Sequence, residues 1–451
     1  GNVVSVTGST VSGGDGGVGG ASLANATNAK GGNGGHGIND VGMGTQITVG
    51  AGSLVQGGSG GGAGTGGVGG TKGSSGAGIW LGGSGANLTN FGVVSGGIGA
   101  AAAIAIIGDT AEIDNYGTIG STGGLSGGGV QLYNGTLTML HNRVGGLIAS
   151  SGTEGGVVLS LGTTITTFLN EGSIGGNDGI NAVRVFGEIG SFTNSGVIES
   201  GNPSALAIFN ASMADVVDNT GGVITNSGSN STVYIGTDLG AAGIVFKGGQ
   251  FTNTGGFAAI YADTSQLGSI GIEDATINGG VLFASGNETL NVSGSTLNGD
   301  ITFAAGNNNL NFLGGTTTLV SNTQFVNATF VSVFAGADVV SNGAQTDANS
   351  SIGQLTMNAG SSLTLNEDFW ADDEVLNNSE ITIAAGKVLT SNVVNGDGVY
   401  AFGVTDAATV GKVVAQGTGS SIDFTGATLQ IVLDNPLDNF VAGTNFLLAE
   451  D

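Results

Sequence analysis

A seven-residue phrase recurs through the middle of the chain: an apolar residue, any residue, Asn, any residue, Gly, any residue, an aliphatic. It reads LTNFGVV at Leu88–Val94, IDNYGTI at Ile113–Ile119, FLNEGSI at Phe168–Ile174, FTNSGVI at Phe192–Ile198 and VDNTGGV at Val217–Val223. Looser copies surround Asn142 and Asn253. The asparagines stand at 90, 115, 142, 170, 194, 219 and 253, in steps of 25, 27, 28, 24, 25 and 34 residues. A unit of that size cannot close a core alone, so it must bury its apolar side against its neighbours.

Ahead of most copies lies a second alternating stretch, as at Ile104–Ile107, Val130–Tyr133, Val157–Leu161, Val183–Phe186 and Val233–Ile235. Each unit thus holds two or three strands of about four residues parted by Gly, Asn and Ser. If each unit makes one coil, equivalent strands of successive coils lie about 4.8 Å apart and stack like on like in long parallel sheets. The expected fold is all-β, a single-stranded parallel β-helix of about 20 coils. Gly and Asn suit the corners because they tolerate left-handed and bridge-region backbone. Asn90, Asn115, Asn142, Asn170, Asn194, Asn219 and Asn253 are read as a stacked structural ladder whose amides bond along the axis; the other reading is solvated turns.

Four stretches follow from the phrasing. Residues 1–78 are glycine-rich, with pieces of strand alternation at Val4–Thr7 and Gln46–Val49, and are expected to form ordered glycine turns between short strands. Residues 79–262 carry the Asn-x-Gly repeat. Residues 263–345 have a shorter period: Thr276–Ser295 aligns without gaps to Thr296–Gly315, with ten identities in twenty. Residues 346–451 vary the phrase again and are expected to hold C-terminal coils to about Leu433.

Composition narrows the function. Glycine supplies 93 of 451 residues, but two prolines dismiss collagen, and 39% apolar content with 9% charged residues argues against charge-driven disorder. The net charge of −26 arises from seven basic residues against 33 acidic ones. No basic patch exists to release counterions from nucleic acid, so that partner is not expected. Direct membrane insertion is not expected either, because no apolar run approaches the roughly 18 residues of a spanning helix. Without cysteine there are no disulfides and no thiolate chemistry. The sequence starts at Gly1 with no leader, so an export signal is expected to have been removed.

The Asn-x-Gly-x-aliphatic units, the glycine-run opening, the repeated Gly-Asn-x-x-Leu-Asn and the phrase AAGKVL at Ala384–Leu389 resemble the passenger domains of bacterial autotransporters, the type V secretion class. The resemblance covers nearly the whole chain. It implies a right-handed β-helix, extracellular or on the surface of a Gram-negative bacterium, held to the outer membrane through a C-terminal barrel or shed. The departure is at the end, where Asp434–Phe440 reads DNPLDNF and no membrane-type strand series is expected before Asp451, so the translocator is expected to be absent.

Some β-helices degrade polysaccharides, and a few residues of this chain bear on that chemistry. Gly35-His36-Gly37 and Asp372-Asp373 resemble polygalacturonase motifs, but their order is reversed and no Arg-x-Lys follows. Arg143 and Arg184 lie 41 residues apart on an acidic chain, which disfavours a lyase. Gly58-Ser59-Gly60 lies in low-complexity sequence, and His141 is read as a surface residue of its coil. The turns at Gly286–Leu290 and Gly306–Leu310 carry amides where a calcium-binding repeat needs carboxylates. The densest charge is Glu367, Asp368, Asp372, Asp373, Glu374 and Glu380 around Phe369 and Trp370; Asp368, Asp372, Asp373 and Glu374 are the metal-site candidates, with Ca²⁺ the cofactor to test, against a solvated loop. No catalytic or other cofactor site is expected.

The expectation is a non-enzymatic adhesin or structural surface rod that meets a host or cell-surface receptor or glycan by many weak contacts. The alternative is a self-associating filament or S-layer-like subunit. A polysaccharide-degrading enzyme is a distant third.

Overall fold

The structure, a computed structural model, describes residues 1–19, 30–64, 71–99, 102–120, 128–150, 155–176, 181–209, 213, 215–236, 243–263, 268–284, 286–321, 323–345, 351–406, 408–433 and 446–450. The described residues hold strands and no helix, and the strand pairings between coils are parallel. The chain divides into two compact units, Gly1–Thr237 with Thr252–Phe257, and Asp238–Phe251 with Ala258–Asp451. Each is a stack of parallel β-helix coils.

In the first unit every coil contributes one strand to each of three faces. Face A runs from Val3–Val6 through Ala86–Asn90, Thr110–Asn115, Thr136–Asn142 and Thr164–Asn170 to Glu188–Asn194 and Val216–Asp218. Its inward positions form an unbroken apolar column: Ile47 on Leu88, Ile113, Leu140, Phe168, Phe192 and Val217 in register. Face B stacks Val55, Val94, Ile119, Ile148, Ile174, Ile198 and Ile224, and all seven are fully buried. Face C is made of the second alternating stretches, with Ile79, Ile104, Val130, Val157, Val183, Leu206 and Val233 in one row. Period-two alternation sends one residue of each pair inward, where similar apolar shapes stack coil upon coil in the narrow core. Phe168 and Phe192, for example, lie 4.6 Å apart with rings within 5° of parallel.

The glycine runs of the first three coils depart from the expected turns. Between Ser12 and Ile38, and between Gln56 and Ile79, the described segments are extended and bonded at every third residue. The amides of Gly13, Gly16 and Gly19 donate to the carbonyls of Gln56, Ser59 and Gly62, and those of Gly31, Gly34 and Gly37 to Thr71, Ser74 and Ala77. Legs leaving face B and legs returning to face C bond each other in the opposite sense, Gly32 to Gly17 and Gly35 to Gly14. Period three with bonds to neighbouring segments is the geometry of polyglycine or polyproline II helices, which have no internal hydrogen bonds of their own. Close packing explains the composition: a Cβ on Gly16 would land on the Gly32 carbonyl oxygen, and one on Gly61 on that of Gly17. Gly16→Ala is expected to loosen this layer alone. Hydrogen exchange should show roughly ten- to hundredfold less protection at Gly32, Gly35, Gly58 and Gly61, with Ile174 and Ile198 unchanged.

In the second unit the 20-residue period is the coil itself. Thr276, Ile277 and Asn278 lie on Thr296, Leu297 and Asn298, and Leu290, Asn291 and Val292 on Leu310, Asn311 and Phe312, as the sequence alignment pairs them. Further along, the strand Phe369–Asn377 turns a corner without ending. Its register shifts between Ala371, opposite Ser391, and Glu374, opposite Val393, so Asp372 and Asp373 form a β-bulge opposite Asn392.

Candidate functional site

Three clusters carry polar chemistry. The first is the asparagine ladder. Asn90 Nδ2 donates to Asn115 Oδ1 at 2.8 Å, Asn115 to Asn142 at 2.8 Å, Asn142 to Asn170 at 2.8 Å, Asn170 to Asn194 at 2.6 Å and Asn194 to Asn219 at 2.6 Å. All six are fully buried. The donors point one way along the stack, an arrangement in which each bond polarises the next. The solvated-turn alternative therefore does not apply to these six. Asn253 is not in the ladder. Its Nδ2 reaches the Asn230 carbonyl and its Oδ1 accepts the amides of Gly255 and Phe257. After the longer step of 34 residues it caps its own turn. Two ladder-like asparagines were missed in the sequence. Asn226 is fully buried on the carbonyls of Pro203, Asn230 and Ser231. Asn377 bonds the Val399 carbonyl and the Ser379 amide, and VLNNSEI at Val375–Ile381 is the repeated phrase with Ser in place of Gly.

The second cluster is at His141. Outward-facing yet only 5% exposed, it is not the surface residue expected. Its Nε2 lies 2.9 Å from Glu171 Oε2 and its Nδ1 3.6 Å from Asp114 Oδ1. Arg143 forks onto Asp114 through Nε at 2.7 Å and Nη2 at 3.2 Å, and its guanidinium lies 5.5 Å from the Tyr116 ring centre. The Asp114 carboxylate raises the Arg143 pKa. Tyr116 in turn stacks on Phe91 at 4.8 Å. This row knits four adjacent coils together. His36 is spent similarly: Nδ1 accepts the Ala77 amide at 3.0 Å and the ring stacks on Trp80 at 4.7 Å, while burial lowers its pKa. His36 belongs to the first unit and Asp372 and Asp373 to the second. Arg184 packs its guanidinium against Phe186 at 4.6 Å and Phe209 at 5.5 Å.

The third cluster is the acidic stretch, which the strand spreads out instead of gathering. Trp370 Nε1 donates to Asp372 Oδ1 at 2.8 Å, and Asp368 Oδ1 accepts the Val388 amide at 2.9 Å. Glu374 accepts from Gln354 and Asn395, and Glu367 pairs with Lys387 at 2.6 Å. Asp373 stands exposed on the bulge. Among the described residues no three His, Asp or Glu side chains are grouped to hold a metal ion. Asp368, Asp372, Asp373 and Glu374 therefore do not fit the Ca²⁺ set read from the sequence: alternation along the strand and the bulge aim Asp368, Asp372 and Glu374 at separate protein donors and leave Asp373 exposed. What the stretch builds is an open groove of about 330 Å³, lined by Asp368, Trp370, Thr390, Val414 and Gln416 among others. Trp370, Thr390 and Val414 stand in one cross-strand row. Neither Thr390 nor Gln416 carries a motif signal, since only the coil register brings them to Trp370.

No protein-family model matches this chain, and no curated protein is significantly similar to it.

Proposed function

We propose that the chain is a non-enzymatic, exported β-helical passenger that acts as an adhesin or structural element at a bacterial surface. The observation that carries this reading is how each coil is spent. Inward positions go to apolar columns and the asparagine ladder, while outward positions become rows of side chains repeated once per coil, a surface suited to many weak contacts. The groups best suited to chemistry support it too, since His141 and Arg143 are tied to Asp114 and Glu171. The test is adhesion: beads coated with the chain should retain epithelial cells or extracellular matrix at least severalfold over beads coated with a globular protein of equal charge. A chain that instead turns over plant or bacterial polysaccharides, with turnover abolished by His36→Ala or Asp372→Asn, would replace the reading with an enzyme.

A further inference from the structure

The groove at Trp370 combines four features. Trp370, held by its indole N–H on Asp372, supplies an aromatic wall. Asp368 is exposed on the rim; one carboxylate oxygen is taken by the Val388 amide and the other makes no hydrogen bond, its charge shared at longer range with the Lys387 ammonium, which is itself bound to Glu367. Thr390 lies in the groove between Trp370 and Val414, 8% exposed, and its hydroxyl makes no hydrogen bond. With the rest of the residue nine-tenths buried, the hydroxyl meets only solvent or whatever enters the groove, and is left as a polar group for an occupant to bond. Finally, the surroundings are negative: Glu367, Asp368, Asp372, Asp373 and Glu374 stand against Lys387, which is bound to Glu367, and Lys412.

We infer that this groove receives a lysine side chain of a basic protein partner. Its ammonium would lie against the Trp370 ring and the free oxygen of Asp368, and its remaining N–H bonds would reach the Thr390 hydroxyl. Each component suits a compact cation. An aromatic face attracts an ammonium through the ring quadrupole, a carboxylate supplies a charge-assisted acceptor, and a hydroxyl supplies a neutral one. The net charge of −26 draws basic segments toward the surface before any specific contact forms. An acidic glycan would meet the opposite field. This deepens the adhesive reading by naming the chemistry of one contact, and it rests on that reading only for its biological setting.

The test uses the chain's two tryptophans. In a Trp80→Phe variant, Trp370 is the sole indole, and its fluorescence is followed during titration with tetralysine, tetraglutamate, a neutral cello-oligosaccharide and calcium. The expected result is a saturable change with tetralysine that salt weakens, with affinity falling about three- to tenfold in Asp368→Asn and in Thr390→Val. Calorimetry on the unsubstituted chain gives the same answer should Trp80→Phe disturb folding. Absence of a change with tetralysine overturns the inference. So does binding that Asp368→Asn and Thr390→Val leave unaltered, which is attraction to overall charge, and so does a response to calcium or the oligosaccharide alone. Failure of the bead adhesion assay with tetralysine binding intact would reject the adhesin reading and leave the site standing.

Discussion

Asn194→Ala should lower the stability of the first unit by about 2–4 kcal/mol, read as a drop in the urea midpoint with little change in slope. The side chain is fully buried and serves both neighbours: it accepts from Asn170 at 2.6 Å and donates to Asn219 at 2.6 Å and to the Gly196 carbonyl at 3.2 Å. Alanine removes all three bonds and leaves the Asn170 and Asn219 amides with one partner fewer in a site too closed for bulk water. A cavity term adds to this, since the rungs above and below are fixed by the columns of face A and face B and cannot collapse inward. The control is Ser195→Ala, the next residue on the same turn and exposed, which should stay within about 0.5 kcal/mol of the parent. Equal midpoints for Asn194→Ala and the parent would refute an energetically important ladder. Because coils couple mainly to their nearest neighbours, the loss should also appear as faster amide exchange in the coils of Asn170 and Asn219 before those further away.

The coil was legible because its chemistry is periodic. Asn90 to Asn219 mark one corner, the aliphatic two residues after the Gly marks face B, and the alternating stretch before the next phrase marks face C. Each is a local signal repeated often enough to outweigh any single ambiguous copy. The glycine legs were harder to read. Composition shows stretches rich in glycine, but turns and polyglycine helices both use it, and only hydrogen bonds between residues 12 to 43 apart in the chain distinguish them. The acidic stretch misled for a related reason. Proximity in sequence suggested convergence of Asp368, Asp372, Asp373 and Glu374, whereas a strand sends neighbours to opposite sides and the bulge rotates the pair at 372–373. The groove's Thr390 and Gln416 come from later coils, and no spacing along the chain announces them.

Glu288→Gln should stabilise the second unit at neutral pH. In the 20-residue repeat Glu288 occupies the place of Asn308 one coil later, a fully buried asparagine whose Nδ2 donates to the carbonyls of Ala304 and Asn327. A carboxylate there has no proton to give. Both Glu288 oxygens are buried without a partner and the residue is 1% exposed. Burial alone pushes its pKa up to about 7 from 4.5. The sign follows from linkage. A carboxyl whose folded pKa lies above its unfolded value binds protons more tightly in the folded state, so its contribution is most favourable below about pH 4.5, where both states are protonated. It is lost progressively as pH rises toward about 7, where the folded state ionises in turn. The full span is on the order of 3 kcal/mol. Glutamine keeps the shape, carries no charge and restores amide donors, so the gain over the parent should be near zero at pH 4 and approach that figure by pH 8. Net charge changes by one in any Glu→Gln substitution, and the exposed Glu380→Gln corrects for it. A midpoint difference between Glu288→Gln and the parent that stays flat from pH 4 to pH 8 would mean that Glu288 finds a partner or solvent in the folded chain. A difference that opens through pH 5 to 7 would make this corner a place where acid tightens the coil stack.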